Sequence, residues 1–109
     1  MLPRAHKLTK QRDIEELAKT GRRNSSVFFI LKTRKNKVNT PRFVIVVSAK
    51  VSKKAVERNR IRRQVREIIR NSLIPLEKSI DSMVVVKQEA LSADFTELHD
   101  QLAELYQKA

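Results

Sequence analysis

The sequence predicts one α+β domain, a two-layer sandwich in which helices pack on a small mixed sheet. At 109 residues the chain is long enough for a single core but not for two. Its apolar residues gather in β-rich blocks, VFFILK and FVIVVS among them, so a folded chain is expected rather than a disordered one. Segments with helical apolar spacing alternate with these blocks. Together they give the element order αββαβα.

The N-terminal part is predicted to be a poorly structured basic arm, residues 1–8, followed by a short helix. Thr9 is a suitable N-cap residue, and the helix is expected to run to about Thr20. Gly21 suits the position just beyond the end of a helix. The apolar stripe of this helix comprises Ile14, Leu17 and Ala18.

Two β-rich runs follow, at Val27–Thr33 and Phe43–Ser48, and residues 22–26 are predicted to be a connection that precedes them. The polar segment RKNKVNT joins the two runs, which predicts adjacent antiparallel strands. Both runs are almost continuously apolar, as is typical of strands covered on both faces. A third run, Met83–Lys87, comes after an intervening helix, so it is expected to lie parallel to the second.

The intervening helix is the most basic part of the chain. It is predicted from about Ser52 to Leu73, and Pro75 ends it. A last helix, capped by Ser92, then has an apolar face formed by Phe95, Leu98, Leu102 and Leu105. We expect both helices to pack on the sheet.

Charge is distributed unevenly along the chain. The net charge is +12, and residues 1–70 carry 21 basic and 5 acidic side chains against 3 and 7 in residues 71–109. Such a basic segment indicates a polyanionic partner, nucleic acid by default, with an anionic membrane surface as the competing partner. No segment approaches the roughly 20 apolar residues of a spanning helix, and we see no apolar region of a secretory signal. The lack of cysteine fits a reducing compartment, so a cytoplasmic protein is expected.

The basic helix has two distinct faces. At about 100° per residue, Ile61 and Val65 fall with Ile68 on one side, which is predicted to pack. Arginines follow one another at helical spacing on the opposite side, where each pair repels by roughly a few tenths of a kcal/mol. A bound polyanion relieves that repulsion, and arginine donates two parallel hydrogen bonds to a phosphate. The predicted RNA-binding residues are Lys50, Lys53, Lys54, Arg58, Asn59, Arg60, Arg62, Arg63, Arg66 and Arg70.

Other interpretations of this helix are weaker. A solvated face is the ordinary interpretation of a charge run, but it gives no reason for a row of repelling arginines. A basic-zipper helix in a DNA groove needs a heptad repeat, whereas Pro75 and a strand follow here. Recognition of folded RNA through its shape and phosphates fits a helix that packs within a sheet domain.

No catalytic residue and no metal ligand are predicted on the protein itself. The acidic side chains Asp13, Glu15, Glu16, Glu57 and Glu67 have no spacing that suggests a two-metal site, which argues against a stand-alone nuclease. The two histidines, His6 and His99, have no partner at the spacing of metal ligands or of a catalytic triad. Both are expected to be surface histidines.

Residues 48–67, SAKVSKKAVERNRIRRQVRE, resemble the signature of the bacterial ribonuclease P protein family. The family pattern is close to S-K-K-V-x-x-A-V-x-R-N-R-x-K-R-x-x-R-E. The matching residues are Ser48, Lys50, Val51, Ala55, Val56, Arg58, Asn59, Arg60, Arg63, Arg66 and Glu67. The opening KLTKQRDI, the MVVVK run and the last helix agree as well, so the resemblance covers about residues 4–108.

The resemblance implies both a fold and a function. The fold would be a single domain with a left-handed βαβ crossover, contrary to the usual right-handed rule. The protein would bind the catalytic RNA of ribonuclease P through its arginine-rich helix, and the 5′ leader of precursor tRNA through a cleft between the first helix and the sheet. The RNA would cut the substrate with Mg²⁺ held mainly by RNA phosphates and water. A monomer in a 1:1 complex with RNA is expected, without a membrane or small-molecule partner.

The same resemblance assigns four residues to the leader cleft: Ile14, Phe29, Lys32 and Ser48. The chain departs from the family here, because Ile14 and Ala18 stand where phenylalanines are common and Lys32 where some members have an aromatic residue. Ala49 also replaces the usual first lysine of the signature. Aromatic stacking is worth about 1–3 kcal/mol per base, so leader contacts are expected to be weaker or more electrostatic. Phe29 is the aromatic assigned to the cleft, with a plain core position as the open alternative.

A second function stays open at this point. A basic RNA-binding module of a ribosomal or translation-factor protein would have a similar bulk charge and a related α/β architecture. The two functions differ in the RNA that is bound, ribosomal RNA in one case and ribonuclease P RNA with precursor tRNA in the other.

Overall fold

The computed structural model describes residues 2–109, which form three α-helices and four strands. In chain order they are α1 Gln11–Thr20, β1 Arg22–Ser25, β2 Phe29–Lys35, β3 Arg42–Val46, α2 Ala55–Ile68, β4 Ile80–Val86 and α3 Phe95–Gln107. Short 3₁₀ turns lie at Arg4–His6, Ile74–Leu76 and Gln88–Ser92, and a π turn at Ile69–Leu73. The α+β class with a mixed sheet is confirmed. No described helix combines the length and apolar character needed to cross a membrane.

The four strands form one sheet in the order β1-β2-β4-β3. Strand β2 is antiparallel to both β1 and β4, and β3 is parallel to β4, as predicted for the strand–helix–strand segment. The prediction that β2 and β3 are neighbours is wrong, because β4 lies between them. Four consecutive residues of β4, 81–84, are buried, so this strand needs cover on both faces and takes a central place.

The first strand was not expected from the sequence. Residues 22–26 are predicted as a connection, but Arg22–Ser25 pairs with β2 at the edge of the sheet. An edge strand with exposed side chains carries no apolar alternation, so its polar sequence gives no strand signal. Polar and charged edges of this kind also discourage pairing with other chains.

The main core lies between one face of the sheet and the helices α2 and α3. Leu31, Phe43 and Val84 project from the three longer strands to this side and are almost completely buried. The side-chain alternation of the strands places their other residues on the opposite face, where α1 packs through Leu17. Helices therefore lie on both sides of the sheet, and the predicted two-layer sandwich gains a third, partial layer formed by α1.

The N-terminal segment packs against the sheet. Leu2 and Leu8 are buried, and the Leu8 amide donates to the carbonyl of Phe43 at 2.9 Å. Lys7 and Phe43 form a parallel bridge beside β3. The predicted poorly structured arm is therefore wrong for residues 2–8, because two leucines among the basic residues supply apolar area to bury.

The helix ends differ in detail from their predicted positions. Helix α1 begins after Lys10 rather than Thr9, and α3 is capped by Asp94, which forms a reciprocal capping box with Glu97. Gly21 does end α1, but its backbone is not left-handed. A Cβ atom at Gly21 would lie 2.5 Å from the carbonyl oxygen of Leu17, so glycine is required there by close approach.

Candidate nucleic-acid interface

Helix α2 is anchored to the domain through one face. Ile61, Val65 and Ile68 are almost completely buried in the main core. Burial of one such side chain contributes about 1.5–3 kcal/mol, so the helix is held firmly on the sheet. The predicted packed face is confirmed, and the opposite face points away from the core.

The basic side chains of residues 50–70 are accessible, and together with Asn59 they are called the basic surface below. Its exposed members are Lys50, Lys53, Lys54, Asn59, Arg60, Arg63 and Arg70, and its half-buried members are Arg58, Arg62 and Arg66. Within residues 2–109, none of these lysines and arginines forms a salt bridge. Glu57 instead accepts a hydrogen bond from the Ser52 hydroxyl. The positive charge of this surface is therefore available to a partner.

Several arginines of the basic surface are oriented by backbone carbonyl groups. Arg58 donates to the carbonyl of Ser52 at 2.7 Å, and Arg60 donates to that of Leu91 at 3.2 Å. Arg62 reaches the carbonyl of Val47 at the end of β3, at 3.3 Å. A guanidinium group has five N–H donors, so one such bond fixes its position and leaves most donors free.

A hollow lies along the accessible side of α2. It has a volume of about 380 Å³ and is lined by Arg63, Arg66, Glu67 and Arg70. The three guanidinium groups repel one another at their helical spacing, and Glu67 forms no salt bridge with them. An anion in the hollow would bind all three, with phosphate geometry matched by the planar guanidinium fork.

The segment before α2 adds a second feature that can bind anions. Val51 is buried and its amide donates to the carbonyl of Ser48 at 3.0 Å, which fixes a tight turn after β3. Helix α2 then begins after Lys54 without a side-chain cap. Free amide groups at a helix N-terminus attract anions, and the exposed Lys50 and Lys53 lie in the segment that leads to it. This end of the helix therefore continues the basic surface.

Helix α1 is fastened to the other face of the sheet by charged pairs. Arg42 on β3 donates two hydrogen bonds to Asp81 on β4, both at 2.8 Å, and lies 4.0 Å from Asp13 on α1. The hydrogen bonds to Asp81 raise the pKa of Arg42 despite its partial burial. Arg34 on β2 pairs with Glu16 at 2.8 Å, and this hydrogen bond lowers the pKa of the Glu16 carboxyl. These pairs fix one wall of the cleft between α1 and the sheet.

Beyond these charged pairs, the α1 side of the sheet is apolar. Val44, Val46 and Val85 project to the α1 side of the sheet and are only partly covered by Leu17 and its neighbours. These valines were not among the predicted cleft residues. The alternation of side chains along a strand could have found two of them. Phe43 and Val47 belong to the main core, so Val44 and Val46 face the other side of the sheet.

The predicted cleft residues divide between the two faces. Ile14 lies on the wall of the cleft, and Lys32 donates from Nζ to the carbonyl of Ala18 at 2.8 Å across it. Ser48 is exposed just beyond the end of β3. The assignment of Phe29 to the cleft is wrong: its side chain is fully buried in the main core on the α2 side of the sheet. The alternative of a plain core position is the one the structure shows.

The two histidines have partners that the sequence spacing does not reveal. His99 contacts the Ser72 hydroxyl through Nε2 at 2.9 Å and Asp100 through Nδ1 at 3.1 Å, and its side chain is 37% exposed, in line with the predicted surface histidine. Ser72 lies in the π turn after α2, 27 residues before His99 in the sequence, so its contact with His99 on α3 could not be predicted from sequence spacing. The second histidine, His6, contacts the carbonyl of Pro41 at 2.8 Å.

Acidic and histidine side chains do not converge on the basic surface. Within the part of the chain that the structure describes, no group of three or more His, Asp or Glu residues is placed to hold a metal ion. The residues that line the hollow on α2 offer one carboxylate among three guanidinium groups. Such a donor set attracts anions and disfavours a cation held by the protein alone.

Comparisons with known proteins agree with this architecture. The sequence model of the family described as Ribonuclease P matches residues 2–109. The ribonuclease P protein component of a Pseudanabaena species is 36% identical over 110 residues, which span 100% of this chain and 95% of the relative. The ribonuclease P protein component of Desulfosudis oleivorans is 37% identical over 103 residues, 94% of this chain and 84% of the relative.

A solved structure has the same fold. The RNase P protein from Thermotoga maritima superimposes with a TM-score of 0.85 at 29% sequence identity, over 94% of this chain and 96% of that one. The similarity therefore covers the sheet, the three helices and the segment that carries the basic surface.

Proposed function

Since the chain belongs to the ribonuclease P protein family, we propose that it is the protein subunit of ribonuclease P and assists the endonucleolytic maturation of the 5′ end of tRNA. Membership of the family makes it an RNA-binding protein of tRNA processing. The observation that supports the specific role is the basic surface, where nine lysines and arginines of residues 50–70 lack a salt bridge to the described part of the protein.

The basic surface is the proposed contact with the catalytic RNA. Its arginines are spaced along one rigid helix, so several phosphates of a folded RNA can be bound at once without ordering a flexible segment. The hydrogen bonds of Arg58 and Arg62 to backbone carbonyls hold these side chains in place before binding.

The cleft beside α1 is the proposed contact with the 5′ leader of precursor tRNA. Its floor of Val46 and Val85 can receive the faces of unstacked bases, and Ile14 forms a wall. Lys32 and the exposed Ser48 supply polar groups at its edges. With aliphatic residues in place of aromatic ones, each base contact is expected to be weaker than the roughly 1–3 kcal/mol of aromatic stacking.

We assign the cleavage chemistry to the RNA partner. Because no described cluster of three acidic or histidine side chains is placed for a metal, the Mg²⁺ of the reaction would be held mainly by RNA phosphates and water. The protein's contribution would be to neutralise phosphate repulsion, so that RNA and substrate associate at lower Mg²⁺. We further propose that the protein is cytoplasmic and that one copy binds one RNA.

Reconstitution tests the proposal directly. The protein is mixed with the ribonuclease P RNA of its own source at low Mg²⁺, and cleavage of precursor tRNA is followed with and without the protein. We expect a clear increase in kcat/KM and a product with a mature 5′ end. If the protein leaves cleavage by this RNA unchanged while it enriches ribosomal RNA from a lysate, the role as a ribosomal or translation-factor module replaces the one proposed.

A further inference from the structure

A second cavity lies at the end of α2 that is remote from Lys50 and Lys54. It has a volume of about 450 Å³, within the range of small-ligand sites. Three separate segments line it: His6 from the N-terminal turn, residues 39–41 from the link between β2 and β3, and residues 74, 75 and 77 after α2. None of these residues belongs to the basic surface or to the cleft.

The backbone around this cavity is strained. Among the described residues, Asn39 and Glu77 are the two non-glycine residues with positive φ, at 57° and 54°. Both line the cavity. A left-handed backbone at a non-glycine residue costs of order 1–3 kcal/mol and tends to occur where a side chain must be placed for function. The strained backbone at Asn39 and Glu77 therefore indicates that the placement of these two side chains has a functional role.

Two polar side chains of the cavity, His6 and Glu77, offer hydrogen-bond acceptors, beside Asn39 and Thr40, which can donate or accept. The carbonyl of Pro41 can only accept, so its 2.8 Å contact requires the proton of His6 to be on Nδ1, and in the neutral ring Nε2 is left as an acceptor. Glu77 is exposed and forms no salt bridge within residues 2–109. Ile74 and Pro75 add apolar surface beside these acceptors. The cavity thus fits a flat group that presents two or more N–H donors.

The cavity also follows the basic surface along α2. Arg66 and Arg70 line the hollow described above, and Ile74 follows Arg70 by four residues, after the π turn at Ile69–Leu73. An RNA strand bound by these arginines through its phosphates would reach the cavity with its next bases.

We propose that this cavity binds one unpaired guanine base of an RNA strand that runs along the basic surface. The Watson–Crick edge of guanine carries two adjacent N–H donors, at N1 and N2, which match the two oxygens of the Glu77 carboxylate. Adenine, cytosine and uracil do not present such a pair of donors on that edge. The inference rests on the proposed RNA-binding role of the basic surface, but its test does not depend on cleavage of precursor tRNA.

The first experiment compares bases. Binding of the full chain to a short oligouridine with one central guanine is measured by fluorescence anisotropy, alongside oligomers with adenine, cytosine or inosine at that position. We expect the guanine oligomer to bind about tenfold more tightly than the others. Inosine should lose most of this preference because it lacks the N2 amino group. Equal affinity for all the oligomers would overturn the proposal and leave RNA binding by the basic surface intact.

The second experiment changes the carboxylate. Glu77→Gln removes one negative charge, which on electrostatic grounds alone should strengthen binding to RNA. The proposal predicts the opposite, a loss of about tenfold for the guanine oligomer only, with an unchanged dependence on salt. Glu89→Gln is the matched control, since Glu89 is exposed and lies outside the cavity.

Glu77→Gly is a further variant that keeps the left-handed backbone easy to form, so that lost binding cannot be ascribed to misfolding. It should lose the preference for guanine while its urea melt stays at least as stable as that of the unmodified protein. Retained preference for guanine in either Glu77 variant would overturn the assignment of the cavity to a base.

Discussion

Three guanidinium groups of α2 are each oriented by a separate hydrogen bond to a backbone carbonyl. Arg58 is held by the turn before the helix, Arg60 by the segment before α3, and Arg62 by the end of β3. Because each bond uses a backbone carbonyl, no acidic side chain is needed to orient the arginines. Their charge is preserved while their side-chain entropy is already reduced before a partner binds.

The titration of Tyr106 should change the free energy of unfolding at high pH. Its side chain is fully buried, and burial raises the pKa of its hydroxyl to about 12. An unfolded tyrosine titrates near pH 10. Between about pH 10 and pH 12 the unfolded chain releases this proton while the folded chain keeps it, so stability falls as pH rises.

We expect Tyr106 to account for a stability loss on the order of 2 kcal/mol between about pH 10 and pH 12. Tyr106→Phe should lack this component, which urea denaturation of both proteins across that range would measure. At neutral pH the variant should be equally stable or more stable by up to about 1 kcal/mol, because the buried hydroxyl has no hydrogen-bond partner among the described residues. A parallel loss in both proteins would contradict the assignment.

The burial of an individual residue could be predicted where it follows from the helical spacing of apolar residues. The burial of Ile61 and Val65 follows from that spacing and is confirmed. The burial of Phe29 and the contact of His99 with Ser72 depend on which elements meet across the domain. No local pattern contains that information, so Phe29 was assigned to the wrong face of the sheet.

Helix α2 carries the proposed phosphate contacts and continues into the π turn at Ile69–Leu73. A π turn has a wider spacing than the α-helix, so the side chains after Arg70 do not continue the earlier row. The arginine row therefore ends at Arg70, and the chain changes direction through Ile74–Leu76.

The salt dependence of RNA binding should report the contribution of this helix. Arg63→Ala and Arg66→Ala should each reduce the slope of log affinity against log salt by roughly 0.7. Lys108→Ala is the control, because it removes the same charge from the acidic C-terminal part, where Lys108 pairs with Glu104 at 3.3 Å. Filter binding at a series of salt concentrations gives the slopes. Equal slopes for all four proteins would place Arg63 and Arg66 outside the interface.

The helices and the three apolar strands were predictable because each carries its own apolar period. Their ends were less so, as in α3, where Asp94 rather than Ser92 is the cap. Both residues are good N-caps, and the choice depends on the reciprocal bond with Glu97. Strand β1 was missed because an exposed edge strand needs no apolar residues.

At the scale of the whole molecule, the N-terminal segment, residues 2–8, contacts both the small core beneath α1 and the edge strand β3. Leu8 belongs to the small core beneath α1, and its amide is bonded to β3. Arg42 and Asp81 link the edge strand β3 to the central strand β4 at the same end of the sheet. The basic residues that precede α1 are thus carried by an integral part of the fold.

Leu8→Ala should therefore lower the free energy of unfolding by about 2–5 kcal/mol through lost burial and the cavity left behind. Thr9→Ala, at an exposed neighbouring position, should change it by less than about 0.5 kcal/mol. Equilibrium urea denaturation of the two variants compares them directly. A poorly structured arm would instead give the same small effect at both positions.

The overall topology could be predicted only in part. The parallel relation of β3 and β4 follows from the helix between them, and it is confirmed. The insertion of β4 between β2 and β3 could not be read from two apolar runs joined by a polar link, since that pattern is also typical of a hairpin. Heavy burial of β4 is the property that decides its central place.

The central place of β4 has a consequence for how the protein is made. Strands β2 and β3 are synthesised early but cannot pair with each other, because both wait for a strand that ends about forty residues after β3. At typical rates of translation that interval lasts roughly 2–8 s. Throughout it, two apolar strands have open edges on the nascent chain. The arrival of β4 then joins β2 to β3, so a chain halted before Ile80 would hold only the paired strands β1 and β2 and would lack the strand that completes the sheet beneath its arginine-rich helix.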